Sequence, residues 1–303
     1  MTKRDDCSLE RRQRDAIRRH AKRALEAAGA IGVFPTPVAA VMEAAKVFVA
    51  EEDALSESFL QKMRKKASRG LKAALAKVLG VLDVAARIVY LDKTLYVVKQ
   101  TFLKLHETAH AVLPWQRDLY VVAEDCEQTI APEVSEEFER EANVFASDVL
   151  FQLDNFTHEA ADFPFSINVP LRLSKKFGAS IYATVRRYVS ENHRACAVLV
   201  LNPPELKRGP VFVAELRRVI VSAEFERRFG SLQWPQFFEP SDPIGAMVPI
   251  GRRMSRPRTV CLVDRNKLRH EFVAEAFTQT HQVFVLIHAA ATLTRRTVLL
   301  TSR

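Results

Sequence analysis

Cysteine is scarce in this chain: four residues among 303, Cys7, Cys126, Cys196 and Cys261, each alone and none in a CxxC pair. That spacing argues against a zinc ribbon and against a disulfide framework, and it fits a reducing compartment. Glycine is scarcer than proline, nine against fourteen, which excludes collagen-like and glycine-linker chains. Long apolar runs are missing too. The longest, Val283 to Ala291, is broken by His288 and falls short of the roughly 18 to 20 residues that a bilayer span needs. Met1 to Leu9 has no apolar stretch behind its charges, so neither a secretory signal nor a membrane partner is expected, and the expected location is cytoplasmic. No repeating unit stands out either, which excludes a solenoid.

What is present is the mixture of a globular protein: 48% hydrophobic and 27% charged residues, enough to bury one full core and, at this length, to allow for two. The net charge of +9 first points to a nucleic-acid binder, but the charge is segregated. Nine Lys or Arg and four acids lie in residues 1–23, and seven basic residues with no acid lie in 61–77. Asp118 to Asp162 reverses the sign, with thirteen acids against Arg140 alone, and 163–303 is basic again, with 22 Lys or Arg and ten acids. Such alternation favours more than one domain.

Helical spacing of Ile17, Ala21, Ala24 and Ala28 predicts a helix over Ser8 to Ala28, stopped by Gly29. A second helix follows Pro35-Thr36-Pro37 over Val38 to Ala45, and a third, basic one covers Phe59 to Leu79. Arg87 to Leu91 and Thr94 to Val98 read as two strands about an Asp92-Lys93 turn.

The next segment carries the chemistry. In Leu105-His106-Glu107-Thr108-Ala109-His110 the two histidines stand four residues apart, about 40° apart on one helix face, so both imidazoles can reach one tetrahedral Zn²⁺. Glu107 lies about 100° round the helix from His106, placed to act as general base beside water activated by the metal. This is the HExxH spacing of zinc peptidases. Phe102, Leu105, Ala109 and Val112 form the packing stripe. A third ligand is needed, and the extended form of the motif is absent, since Leu113 and Gln116 stand where it requires Gly and His.

The acidic segment offers that ligand on a helix predicted over Ser135 to Leu153, with Ser135 as its cap. Phe138, Ala142, Phe145 and Val149 make its apolar row, and Glu139, Asn143, Ala146 and Leu150 the adjacent one. Glu139 becomes the expected ligand, with Glu136 as fallback, and Asn143 the partner that fixes a ligand histidine. Glu141, about 200° from Glu139, is expected to face solvent. Tyr120 and His158 are candidate donors to a developing oxyanion.

With His106-Glu-Thr-Ala-His110 followed by Glu139-Arg-Glu-Ala142-Asn143-Val-Phe145-Ala146-Ser-Asp-Val-Leu150, the chain resembles the ImmA/IrrE family of bacterial and phage metallopeptidases, from about Pro35 to Phe156. That family's pattern is HExxH, then ExxAN-x-FA-x-x-LL. The resemblance implies zinc-dependent, site-selective cleavage of a helix-turn-helix repressor that controls stress or mobile-element genes. Phe151-Gln152 departs from the Met-Pro that often follows in members, which bears on the entrance to the site.

Beyond Asp162-Phe163-Pro164, Pro170 to Tyr188 has the outline of a helix-turn-helix, with a turn at Gly178, a cap at Ser180, and Tyr182, Arg186 and Arg187 as the more exposed residues of the second helix. They are the candidate contacts to DNA or to a partner. Ala195 to Leu201, Val211 to Val213, Val219 to Val221, Val260 to Val263, Val283 to His288 and Val298 to Thr301 read as strands of a mixed sheet domain, which the resemblance implies is sensor-like and GAF-type. His270, His281 and His288 lack ligand spacing and read as ordinary histidines.

The expected fold is therefore α+β: a helical zinc-peptidase-like core with a small sheet and a basic N-terminal helix over 1–162, a helix-turn-helix-like segment over 163–194, and a mixed α/β domain over 195–303. The expected function is a zinc endopeptidase with Zn²⁺ on His106, His110 and Glu139. The alternative is a DNA-binding regulator whose metal site is structural or vestigial.

Overall fold

A computed structural model describes residues 9–50, 80–84, 86–92, 94–125, 131–206, 212–230, 232–264 and 266–290. The chain divides into two compact units, with the boundary between Thr184 and Val185. The sequence-predicted helix at Phe59 to Leu79 and the strand at Val298 to Thr301 lie outside the described residues.

The first unit is helical with one small sheet. Helices α1 (Arg11–Ala27) and α2 (Val38–Ala44) come first. Strands β1 (Phe48–Val49), β2 (Gly80–Asp83) and β3 (Ile88–Leu91) form a sheet in the order β1-β3-β2, with β1 parallel and β2 antiparallel to β3. Then come α3 (Val97–Val112), α4 (Pro114–Asp125), α5 (Pro132–Leu150), α6 (Asn155–Ala161) and α7 (Asn168–Lys176). The unit boundary falls within α8 (Ile181–Ser190).

Two sequence expectations change here. The partner of β3 is β2, not Thr94 to Val98. Asp92 accepts hydrogen bonds from the Thr94 amide and hydroxyl at 2.9 and 2.6 Å, which turns the chain, and Tyr96, Val97 and Val98 become the exposed cap and first turn of α3. Their strand propensity is outweighed because they have no sheet surface to cover. Helix α5 starts at Pro132, not Ser135, with Pro132 in its first turn and Ala131 before it. Proline suits that position because its missing N–H has no intrahelical partner there.

The metal-motif helix α3 is held from two sides. Ala111 and Leu103 pack into an apolar cluster with Met42, Val47, Val89 and Leu91, so the small sheet and α2 support one flank. The other flank lies against α5, and α5 in turn packs on α1. The expected α5 row, Phe138, Ala142, Phe145 and Val149, is buried throughout. Gln13 and Arg18 of α1 bond Glu137 of α5 and Asp154, the residue before α6.

The departure at Gln152 proves to be a clamp. Its amide nitrogen donates to the carbonyls of Ala30 and Val33 at 3.0 and 2.6 Å and to the Thr36 hydroxyl at 3.2 Å, and its oxygen accepts from the Gly32 amide at 2.8 Å. Gln152 follows Glu139 by thirteen positions, about 20 Å of helix. It ties down the turn before α2 rather than shaping the motif end of α5.

Gly178 ends α7 at a φ of +61°, and a Cβ there would sit 3.0 Å from the Pro35 Cβ. Both the left-handed backbone and the close approach call for glycine. The Ser180 hydroxyl then accepts from the Ala183 amide at 3.1 Å, capping α8 as expected. Thr184, Val185 and Tyr188 are buried, and Tyr182 and Arg186 are partly exposed. Arg187 corrects the expectation: it is buried, 3.9 Å from Glu191.

The second unit is β-rich. Strands β4 (Cys196–Leu201), β5 (Glu205–Leu206), β6 (Phe212–Val221), β8 (Arg258–Val263), β9 (Arg269–Gln279) and β10 (Gln282–Ala289) form a sheet in the order β5-β6-β4-β10-β9-β8, with β7 (Phe237–Phe238) on β6. Where the sequence points to a mixed sheet, every described pairing is antiparallel. Short links such as Thr280-His281, between β9 and β10, permit nothing else. Of two predicted runs, Phe212 and Val213 of the first, whose Val211 lies outside the described residues, and Val219 to Val221 of the second belong to one strand, β6. Helix α9 (Ala223–Phe229) is capped by Ser222, and its Phe225 joins a core with Leu199, Phe238, Phe272 and Val285. The whole is a helical core followed by a β-rich domain, the α+β class expected.

Candidate metal centre

The site is built on α3 by helix spacing and closed by α5. His106 and His110 lie one turn apart and both are buried, with Nε2 atoms 3.3 Å apart. The Glu139 carboxylate stands 3.2 Å from His106 Nε2 and 3.6 Å from His110 Nε2. Among the described residues these three form the group able to hold a metal ion. Glu139 is the outer member, its side chain 53% exposed, so the cluster opens to solvent on that side. Glu136, the fallback, is not part of it.

The other ring nitrogens show what these three atoms present. His106 Nδ1 is 3.2 Å from Asn143 Oδ1, and His110 Nδ1 is 2.7 Å from Gln116 Oε1. An amide oxygen only accepts, so each Nδ1 carries its hydrogen and each neutral ring offers a lone pair at Nε2. Two imidazole lone pairs and a carboxylate then converge, and only positive charge stabilises that. Zn²⁺ bonded to nitrogen at about 2.0–2.1 Å in a tetrahedron sets its ligand atoms about 3.3 Å apart, which matches the spacing found. Two imidazoles and one carboxylate are also a donor set of catalytic zinc sites. The residues present fit the ion.

Residues 48–188 match the family model described as the IrrE N-terminal-like domain, Peptidase_M78. These residues thus carry an IrrE N-terminal-like domain, in keeping with the resemblance of the paired motifs. A solved structure described as a Mycobacterium tuberculosis transcriptional regulator is similar in fold, with a TM-score of 0.51 over 92% of this chain and 80% of that one, at 14% identity. No curated protein matches the sequence.

Burial dominates the electrostatics of the site. It lifts the Glu107 carboxyl to about 7, with His106 opposing and the Glu139 charge adding to the rise. It depresses His110 to about 4, helped by the neighbouring His106. At His106 burial works the same way, but the Glu139 carboxylate, Glu107 and Asn143 outweigh it and the pKa is raised. Burial would raise Glu139, yet its bond to His106 and the two imidazole charges hold it low. The Tyr120 ring lies edge-on to His110 at 5.6 Å, and burial followed by the Glu139 and Glu107 charges pushes its phenol to about 12, so it stays a donor. His158, the other candidate donor, stands in the last turn of α6.

Two residues of this neighbourhood escape the sequence reading. Glu141 is buried, not solvent-facing: the Trp115 indole and the Gln116 amide donate to its Oε2 at 2.7 and 2.6 Å. Gln116 is fully buried beside His110. The available signal is Pro114, which ends α3 and starts α4 at once. The Gln116 and Arg117 amides both bond the Leu113 carbonyl at about 3.0 Å, folding the chain back over the second histidine.

Proposed function

We propose that this chain is a cytoplasmic zinc endopeptidase that cleaves a helix-turn-helix transcriptional repressor at one site. The supporting observation is the convergence of His106 Nε2, His110 Nε2 and the Glu139 carboxylate next to a buried Glu107. Bound there, Zn²⁺ would supply a Lewis acid for the scissile carbonyl and an activated water.

The rest is the work of side chains. His106 and His110 hold the ion through Nε2, and Glu139 does so from the solvent side. Glu107, buried beside the two histidines, takes a proton from the attacking water and returns it to the leaving amine. Tyr120, protonated throughout this range, is the donor proposed for the developing oxyanion. A basic DNA-binding protein suits as substrate, because Glu139 lies in the stretch where thirteen acids face one arginine.

The test is to purify the protein, measure about one zinc per chain, and incubate it with candidate helix-turn-helix repressors, starting with any encoded by the genes that flank its own. Cleavage at a single site that the Glu107→Gln variant no longer performs supports the assignment. Retained cleavage by that variant overturns it.

A second reading has one observation in its favour: α7, the Gly178 turn and α8 form the outline of a DNA-binding helix pair, and the similar solved structure is described as a transcriptional regulator. Mobility shift across a salt series separates the two, since phosphate contacts weaken steeply as salt rises. With Arg187 buried, Tyr182 and Arg186 are the residues left for such a contact.

A further inference from the structure

Next to the ligand pair lies a polar chain that the proposed chemistry does not use. It runs from Trp115 Nε1 to Glu141 Oε2, from there to Gln116 Nε2, and from Gln116 Oε1 to His110 Nδ1, with steps of 2.7, 2.6 and 2.7 Å. Gln116 Nε2 also reaches the Phe138 carbonyl at 3.2 Å. Gln116 is 0% and Glu141 3% exposed, so water does not replace these bonds cheaply.

The chemistry of an amide makes the chain directional. A glutamine side chain has one accepting end and one donating end. The carboxylate and the carbonyl facing Gln116 can only accept, so the NH₂ end must point at them and the oxygen end must point at His110. His110 Nδ1 must then carry the hydrogen, which leaves Nε2 bare. At His106 the matching partner, Asn143, is only partly buried.

We propose that Gln116 is the positioning residue for the second metal ligand, and that the buried Glu141 acts through it by fixing which end of the amide meets His110. The proposal rests on the reading of His106, His110 and Glu139 as a metal centre, but its first consequence, the tautomer of His110, belongs to the metal-free protein. Glu141 contributes a formal negative charge two hydrogen bonds from the imidazole, making it a better donor to a cation. The neutral amide between them keeps a second carboxylate from standing directly against the site.

The arrangement can be inverted by mutation. Gln116→Met keeps the shape and removes the acceptor. Gln116→Glu keeps the acceptor but sets two buried carboxylates against each other. Adding Glu141→Gln to it relieves that repulsion, because the new amide can donate to the new carboxylate, although the Phe138 carbonyl loses its donor. Two readouts are used on wild type and variants: Zn²⁺ affinity by competition with a chromophoric chelator, and the His110 tautomer by ¹⁵N NMR of the metal-free protein.

The expected wild-type tautomer has hydrogen on Nδ1. Gln116→Met should mix the tautomers and lower Zn²⁺ affinity about 10–100-fold. Gln116→Glu alone should keep hydrogen on Nδ1 but bind more weakly, and the double variant should regain affinity relative to it. The proposal is overturned if Gln116→Met leaves both readouts at wild-type values, or if the double variant does no better than Gln116→Glu. That second comparison decides the matter even where Gln116→Met fails to fold. Wild-type protein that takes up no zinc overturns the metal reading, and the tautomer measurement still decides the Gln116 relay.

Discussion

His106 Nε2 and His110 Nε2 face each other across 3.3 Å, and each ring's other nitrogen is turned to an amide oxygen. Two neutral imidazoles so placed repel, and a cation between them and Glu139 relieves the repulsion. Zinc should therefore stabilise the fold. A ligand at a hundred times its dissociation constant adds about 2.7 kcal/mol, so a thermal-shift titration should show a clear rise in Tm. His106→Ala or Glu139→Ala should remove most of that rise. An equal rise in both variants would place the metal elsewhere.

Glu107 gives a pH dependence with a definite sign. Its folded carboxyl sits near 7, against an ordinary 4.5, because burial disfavours the charge. A raised acid favours the folded state fully below the unfolded value, and that contribution fades as pH rises from about 4.5 to 7. In metal-free protein, Glu107→Gln should thus be neutral in stability at pH 4.5 and stabilising by up to about 3 kcal/mol at pH 8. Chemical denaturation at the two pH values measures it.

Glu141 separates a buried role from a surface one. Replacement by Ala leaves the Trp115 indole without an acceptor and costs Gln116 one of its two, so a loss of about 1–3 kcal/mol is expected. A solvent-facing glutamate would change stability by less than about 0.5 kcal/mol.

Arg187→Ala should lower Tm without altering the salt dependence of any DNA binding, since the side chain is 5% exposed. Arg186→Ala is the comparison: if DNA is bound through α8, removing one phosphate contact should shallow the salt slope by about one. A shallower slope for Arg187→Ala would contradict its burial.

The Cys196 thiol is fully buried, and its pKa is pushed up to about 12 by that burial, against weaker opposing effects of Ser222 and Arg194. A thiol reagent at pH 8 should modify the exposed Cys261 promptly and Cys196 only on unfolding. Peptide mapping after timed quenching distinguishes the two. Because the raised thiol stabilises the fold below about pH 9 and that contribution drains away toward pH 12, Cys196→Ala should flatten the alkaline loss of stability.

Much of this was legible in the sequence for physical reasons. Four-residue spacing puts His106 and His110 on one face in any helix, and the Glu139–Asn143 row sits beside an unambiguous apolar row. Other parts were not. The wheel argument that sent Glu141 to solvent assumes one buried face, whereas α5 packs on α3 and on α1 and Trp115 of α4 reaches its remaining side. Tyr96 to Val98 have strand-like side chains, but a neighbouring aspartate turn placed them at the head of a helix. Gln116 carried no motif, only its position after Pro114.

His110 and Glu139 are 29 positions apart in the chain. An ion held by both is therefore a cross-link, closing a loop of about thirty residues as a disulfide would. By the loop-entropy scale for such links, this is worth roughly 3–4 kcal/mol against the unfolded ensemble. Chelation should then do more than silence the site: it should loosen α4 and the start of α5 together, leaving the opposite end of α5 pinned through Gln152.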